Sequence, residues 1–380
     1  MKKILAIIFI VLLNISIINA EEYDQETIDM NLEQAEKAAE IEDTLKENGY
    51  PEYYGGIYIS DDSTHVVMLI VEENLPKDIN SKEYELLENI IRKHEDIEIK
   101  YVKNSYKELL ETFDKISNYS KENREVKKIT SHSIDVINNK VTVSIKNLEP
   151  NEIKNVKDHV TNLKNKEIDD IIVFEKSGRN GIDSLDAGQG LTIGKYEDNC
   201  SMGYRVKINN KPGYITAAHC FEKNGVGAPG GTVKIWQKGG PIDAAFVEVA
   251  TSLMTFFEPT NNLKYTSGTI TKLNTSTCPT LVVNQIIAKV GVKTGYTTGK
   301  IKSVKENVTF KIKNGYSVDN IIQVRYSAAG GDSGGVVFIP KNVNGGATVV
   351  GIHIGFEEDY KIQMFHDFLD FKNPIFSKIE

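Results

Sequence analysis

Cysteine is nearly absent. The chain has three in 380 residues, Cys200, Cys220 and Cys278, so at most one intrachain disulfide can form, one thiol is left over, and a small disulfide-stapled scaffold is excluded. Apolar runs of membrane-spanning length are missing after the first twenty residues, so a soluble mature chain without stable membrane association is expected. Lys and Arg form no run interleaved with aromatics, which argues against a nucleic-acid partner. Histidine is sparse and lacks metal-ligand spacing: His65, His94, His132 and His159 fall in the first half and His366 near the end, so neither a metal nor a cofactor is expected. There is no Gly-x-Ser-x-Gly string between a strand and a helix, which speaks against an esterase of the type built on that elbow.

What the chain does have begins at its N terminus. Lys2 and Lys3 precede an apolar run from Ile4 to Ile18, broken by Asn14 and Ser16, and Ala20 stands before Glu21. Residues 1–20 read as a secretory signal cleaved after Ala20, which places the product outside the cell and favours a disulfide. The remaining length suits two or three compact units. Their charges are opposite: from Ala187 onward 21 Lys and Arg stand against 15 Asp and Glu, a net +6, so residues 1–186 carry −14 of the total −8. Such a split favours docking of one part on the other.

Residues 21–50 place Ile28, Leu32, Ala35, Ala39 and Leu45 at helical spacing. Tyr54 to Val71 reads as a β-hairpin turning at Asp61-Asp62-Ser63, and a helix-rich stretch follows from Ser81 to Asn118. A second hairpin, Ser133–Val136 and Val141–Ile145, is followed by a helix from Glu149 to about Leu163 and a strand at Ile171–Phe174. These make two α/β subdomains, about 52–125 and 126–178. Gly178, Gly181, Gly188 and Gly190 among Asp and Ser mark a linker, with a cut expected between about Ser184 and Gly190. Beyond it short β-branched runs recur, from Tyr204–Ile208 to Thr348–Ile354. They predict an all-β domain over 187–380, closed by a short helix at Phe365–Phe371.

Three strings in this domain carry chemistry: Thr216-Ala217-Ala218-His219-Cys220, Ile242-Asp243-Ala244, and Gly330-Gly331-Asp332-Ser333-Gly334-Gly335. Each alone is a packed histidine, a strand start or a turn. Together they supply what a serine nucleophile needs: Ser333 to attack, His219 to take its proton, and Asp243 to fix the imidazole tautomer and stabilise its charged form. Backbone N–H groups of Gly331 and Ser333 can converge as an oxyanion hole.

On these strings, with Cys200-Ser201-Met202-Gly203-Tyr204 and Thr297-Thr298-Gly299, residues 187–380 resemble the chymotrypsin-like serine peptidases, in the bacterial branch containing α-lytic protease and the streptogrisins. The resemblance implies two six-stranded antiparallel Greek-key barrels, a monomer acting on protein or peptide substrates, and a Cys200–Cys220 disulfide. The two hairpins upstream resemble that branch's pro-region, which implies that residues 21–186 act as an intramolecular chaperone and inhibitor of a zymogen. Asp332 should be buried and needs a cation. The resemblance points to Lys293, with Arg325 as rival. Departures are Val292 and Lys302 in place of one cysteine pair, Ser327 in place of another cysteine, and Cys278 without a partner.

Val350-Gly351-Ile352-His353-Ile354-Gly355-Phe356 should pair with the substrate backbone and line the primary pocket with Ser327. Glutamate-specific members of this fold carry a histidine at the position of His353, so a preference for acidic P1 residues is one expectation. The other is a core histidine satisfied by a neighbouring hydroxyl. A catalytically inactive binding protein on a protease fold is the opposing class, and retention of all three triad residues speaks against it. Asn118, Asn274 and Asn307 open glycosylation sequons.

Overall fold

The computed structural model describes residues 23–94, 96–122, 129–145, 148–160, 168–176, 190–193, 196–249, 262–264, 270–274, 279–310, 316–340, 347–356 and 363–367. The expected signal segment, the Gly-rich linker up to Gln189 and Cys278 lie outside them. No helix among the described residues is long and apolar enough to cross a membrane.

Helix α1 (Gln25–Glu47) starts at Asp24, whose carboxylate accepts the Thr27 N–H at 2.8 Å and satisfies one of the bare donors of the first turn. Its buried face carries Ile28, Ala35, Ala38, Ile41 and Leu45, with Asn31 in the same stripe. That face packs on β1 (Tyr54–Ile59) and β2 (Val66–Ile70), an antiparallel hairpin, joined on the β2 side by a parallel strand β3 (Glu98–Tyr101). Helices α2 (Lys82–Lys93) and α3 (Tyr106–Glu122) flank β3, so the stretch expected to be helix-rich from Ser81 to Asn118 contains a strand. The reason is tertiary: the edge of β2 has backbone groups to satisfy, and β3 pairs them from Val67 to Ile70. A second unit repeats the plan with β4 (Ile129–Asp135), β5 (Lys140–Ile145), α4 (Pro150–Val160) and β6 (Ile172–Lys176), the last parallel to β5.

The remaining strands are antiparallel for the most part. A short hairpin, β7 (Gly190–Ile193) and β8 (Tyr196–Ser201), leads into β9 (Arg205–Ile208), β10 (Lys211–Thr216), β11 (Gly227–Ala228), β12 (Gly231–Gly239) and β13 (Ile242–Val249). The last five form one sheet in the order β11-β12-β13-β10-β9. Next come β14 (Asn262–Lys264), β15 (Ile270–Asn274), β16 (Ile286–Gly291), β17 (Gly295–Phe310), β18 (Tyr316–Val324), β19 (Val336–Ile339), β20 (Ala347–Phe356) and β21 (Gln363–Asp367). Strand β16 pairs with β17 and β19, β17 with β18, β18 with β21, β21 with β20 and β20 with β19. The circuit is closed, giving a six-stranded barrel filled by Ile287, Ile301, Ile322, Val324, Val337, Ile339, Val350 and Phe365. A second cluster joins Val206, Ile215, Ile242 and Phe246 of the five-stranded sheet to Val290, Val318, Val336 and Ile352 of the barrel. Two antiparallel bodies therefore share an apolar seam.

Two expectations change here. The short C-terminal helix at Phe365–Phe371 is replaced, over Gln363–Asp367, by β21: pairing on both sides closes the barrel, and Phe365 is fully buried in it. Residues 368–371 lie outside the described residues. Among the β-branched runs, Gly299–Val304 and the run that begins at Val308 fall on one strand, β17, which ends at Phe310.

The N-terminal units dock on the barrel along two lines. Residues 306–308 of β17 pair antiparallel with Ser131–Ser133 of β4. At the turn before β16, the Asn31 amide donates to the Ser63 hydroxyl and the Asn284 carbonyl, both at 2.9 Å, and its oxygen accepts the Ile286 N–H at 2.6 Å. Asn284 returns the contact by donating to the Ile59 carbonyl at 2.7 Å and to Asp61 at 3.0 Å. The opposite charges of the two parts meet at the rim, as in Lys305 to Asp114 at 3.8 Å. Two neutral amides, Asn31 and Asn284, are among the buried contacts.

Candidate active site

Strand β10 ends at Thr216, and a single turn of 3-10 helix, Ala218–Cys220, presents His219. Two devices fix that turn. The Cys200–Cys220 disulfide ties it to β8, and the Trp236 indole N–H donates to the Ala218 carbonyl at 2.8 Å. Asp243 is the second residue of β13, which pairs with β10 through Thr216 and Ala245, so the carboxylate arrives beside the imidazole. Its Oδ1 accepts the His219 backbone N–H at 2.9 Å and its Oδ2 accepts Nδ1–H at 2.7 Å. The Tyr316 hydroxyl donates to the same Oδ2 at 2.6 Å. Asp243 is fully buried and the His219 ring nearly so.

Ser333 sits in the loop between β18 and β19. Its carbonyl accepts the Ser201 N–H at 2.6 Å, while the Ser201 carbonyl accepts the Thr216 hydroxyl at 2.5 Å. Ser201 thereby joins the serine loop to the strand that ends at His219. Gly334 adopts φ +88°, and a Cβ there would collide with the Ser201 carbonyl and the Thr216 hydroxyl, so glycine is required for the loop to lie this close. Gly331, at φ +125°, turns the chain before Asp332. On the far side, Gly334 N–H donates to the His353 carbonyl at 2.7 Å and His353 N–H to the Gly335 carbonyl at 2.8 Å. The strings expected to cooperate are brought together at the seam.

The cation at Asp332 is Lys289, which corrects the expected pairing with the Lys293 side chain and with its rival Arg325. Lys289 Nζ lies 2.9 Å from Asp332 Oδ2, with both side chains fully buried. Lys293 contributes its backbone N–H to Oδ1 at 3.0 Å, and Thr294 donates its hydroxyl to Oδ2 at 2.6 Å. Arg325 is exposed. Burial by itself would raise the Asp332 carboxyl, but the Lys289 charge and the Thr294 hydroxyl outweigh it and hold it below the usual aspartate range. The physical reason is reach. Lys289 comes from the interior of β16 and lies beneath the loop, whereas residue 293 lies in the turn after that strand.

His353 is fully buried on β20, and the Tyr326 hydroxyl lies 3.1 Å from its Nδ1. Ile354 sends its side chain into the seam core, so of the four expected pocket residues it can offer a substrate only backbone. Gly355 continues β20 opposite Met364 of β21. The Ser327 carbonyl accepts the Thr297 hydroxyl at 2.8 Å. Cys200, His219 and Cys220 lie close enough together to suggest a metal, but both sulfurs are consumed by the disulfide and no ligand set remains.

No protein-family profile and no curated protein matches the chain. Solved structures do. Thermobifida fusca Protease A is 23% identical, with 51% of this chain and 94% of that one covered at a TM-score of 0.40. Cellulomonas bogoriensis chymotrypsin is 24% identical, over 51% and 94%, at 0.38. A glutamic acid specific serine protease, described as using a histidine triad in substrate binding, is 23% identical over 49% and 95%, at 0.39.

Four residues that sequence reasoning did not single out complete the site: Tyr316, Trp236, Lys289 and Tyr326. Lys289 had a visible signal, a lysine inside the apolar run Ile286–Val290, where a charge must find a partner. The single tryptophan and the two tyrosines had none.

Proposed function

We propose that this chain is a secreted serine endopeptidase made as a zymogen. The observation that carries the reading is the 2.7 Å bond from His219 Nδ1 to Asp243, formed beside the glycine-bounded loop of Ser333. With Nδ1–H committed to the carboxylate, Nε2 is the nitrogen that serves as base. It takes the proton of the Ser333 hydroxyl as Oγ attacks the scissile carbonyl, then returns it to the leaving amine. Water repeats the cycle on the acyl-enzyme. The backbone N–H groups of Gly331 and Ser333 receive the oxyanion, and the buried Lys289 to Asp332 pair anchors the loop that aims them.

Residues 21–186 serve as pro-region. Support comes from the docking lines at Asn31, Asn284 and β4. A fluorophosphonate probe is expected to label Ser333 in the processed protein, with labelling abolished by Ser333→Ala; a folded, processed chain that is not labelled would sink the peptidase reading. N-terminal sequencing of the same material is expected to start between about residues 184 and 190.

At the pocket, His353 reads an acidic P1 side chain. Its backbone is bonded to Gly334 and Gly335, directly behind the nucleophile, and Tyr326 orients its ring. A peptide-library profile is expected to favour Glu at P1, and His353→Leu to lower kcat/KM for Glu substrates about a hundredfold, the cost of leaving a substrate charge unpaired. Cleavage after Leu or Phe with Glu rejected would leave His353 as a core residue.

A further inference from the structure

We infer that Tyr316 is a positioning residue of the triad, holding the Asp243 carboxylate in the orientation His219 requires. The role presupposes the serine-peptidase reading above and adds a residue to it that none of the catalytic strings contains.

Asp243 Oδ2 accepts two hydrogen bonds, from His219 Nδ1 at 2.7 Å and from the Tyr316 hydroxyl at 2.6 Å. The other oxygen, Oδ1, accepts the His219 backbone N–H at 2.9 Å, so the phenol holds the carboxylate from a side that His219 does not supply. The phenol is supplied from the other body: Tyr316 opens β18 of the barrel, whereas Asp243 lies on β13 of the five-stranded sheet and His219 in the turn that follows β10 of the same sheet. Its backbone is clamped to the turn that leads into β13. Gly240 N–H donates to the Ser317 carbonyl at 2.8 Å and Asp319 N–H to the Gly240 carbonyl at 2.7 Å. Gly239, at φ +96°, leaves room for the Tyr316 ring. Lys238 Nζ lies 4.8 Å from the ring centroid, where a cation draws density from the ring and strengthens its hydroxyl as a donor.

The titratable groups around the phenol are therefore Asp243, His219 beyond it and Lys238 across the ring. Burial, then Asp243, push the hydroxyl far above the usual tyrosine range, so it stays a donor at any working pH. The placement also links the site to the N-terminal part. Val308 pairs with Val318 on one side and Ser131 on the other, so β4 abuts the hairpin that delivers Tyr316.

The test is Tyr316→Phe, which removes one oxygen and keeps the ring. Labelling of Ser333 is expected to persist and kcat to fall about tenfold with KM unchanged, since part of one charge-assisted hydrogen bond corresponds to roughly that factor. The acid limb of the pH profile of kcat/KM moves to higher pH, because Oδ2 without the phenol keeps more negative charge against the imidazolium. An unmoved acid limb, or a loss confined to KM, would overturn the role and leave Tyr316 as packing. Should the Phe variant not accumulate, Lys238→Met, with the hydroxyl kept but less polarised, shows the same shift at smaller size, and its absence there overturns the role equally. Failure of the parent chain to label at Ser333 would instead strike the peptidase reading itself.

Discussion

Asp243→Asn lowers kcat for peptide hydrolysis about ten-thousand-fold, the size seen when a triad carboxylate becomes an amide. The buried carboxylate accepts two hydrogen bonds from His219 and one from Tyr316. An amide offers one oxygen and one NH2 group. If the oxygen stays with the His219 backbone N–H, the NH2 group takes the place of Oδ2, faces Nδ1 and forces the imidazole to accept there, so the proton moves to Nε2 and the base that Ser333 needs is gone. Folding survives, because a neutral amide is easier to bury than a carboxylate. The check is steady-state kinetics beside a thermal melt. A fall smaller than about a hundredfold with an unchanged melting temperature would mean that His219 does not depend on Asp243 for its tautomer.

Lys289→Met has the largest expected effect on stability. Removing one partner of a buried ion pair leaves the other uncompensated, at a cost of about 3–5 kcal/mol. Here both side chains are fully buried and the backbone donors of Lys293, Thr294 and Ala329 already point at the carboxylate. The pH dependence reverses with the substitution. In the parent, the Asp332 carboxyl is held below its usual range, so its stabilisation is present above the ordinary aspartate value of about 4 and lost as pH falls through the lower folded value. In the variant, burial without a cation raises the carboxyl, and stability declines as pH rises. Denaturant melts from pH 3 to 8 separate the two slopes, and Lys289→Met with Asp332→Asn recovers part of the loss. A variant that melts like the parent throughout would show that the backbone donors suffice.

Much of the candidate site was legible in the sequence because it is local. His219, Asp243 and Ser333 each sit in a short string whose neighbours serve the same task, as Gly334 does by being small enough to lie on Ser201 and Thr216. The strands of the C-terminal part were legible from β-branched runs, and the hairpins at Tyr54–Val71 and Ser133–Ile145 from apolar runs on either side of a turn, though β4 begins earlier, at Ile129. What could not be read depends on distant partners. Strand β3 has a weakly apolar sequence, Glu98-Ile99-Lys100-Tyr101, and is a strand only because β2 has an edge to fill. Strand β21 forms because β18 and β20 leave a gap. Tyr316 lies 73 residues from Asp243, and Asn31 lies 253 from Asn284; no periodicity links either pair. Lys289 was misread as Lys293 because matching along the chain finds the right neighbourhood and only the pleat of β16 decides which lysine lies under the loop.

Residues 306–308 of β17 spend their two sets of backbone groups on two neighbours, β18 and β4. Processing near residue 186 would remove one of them and leave a bare strand margin, the template on which other extended chains add themselves. Lys305 falls beside that margin, and charge is the usual protection of an unpaired edge. Departure of β4 would thus exchange an internal partner for a solubility problem, and this stretch would then have to repel copies of the same protein.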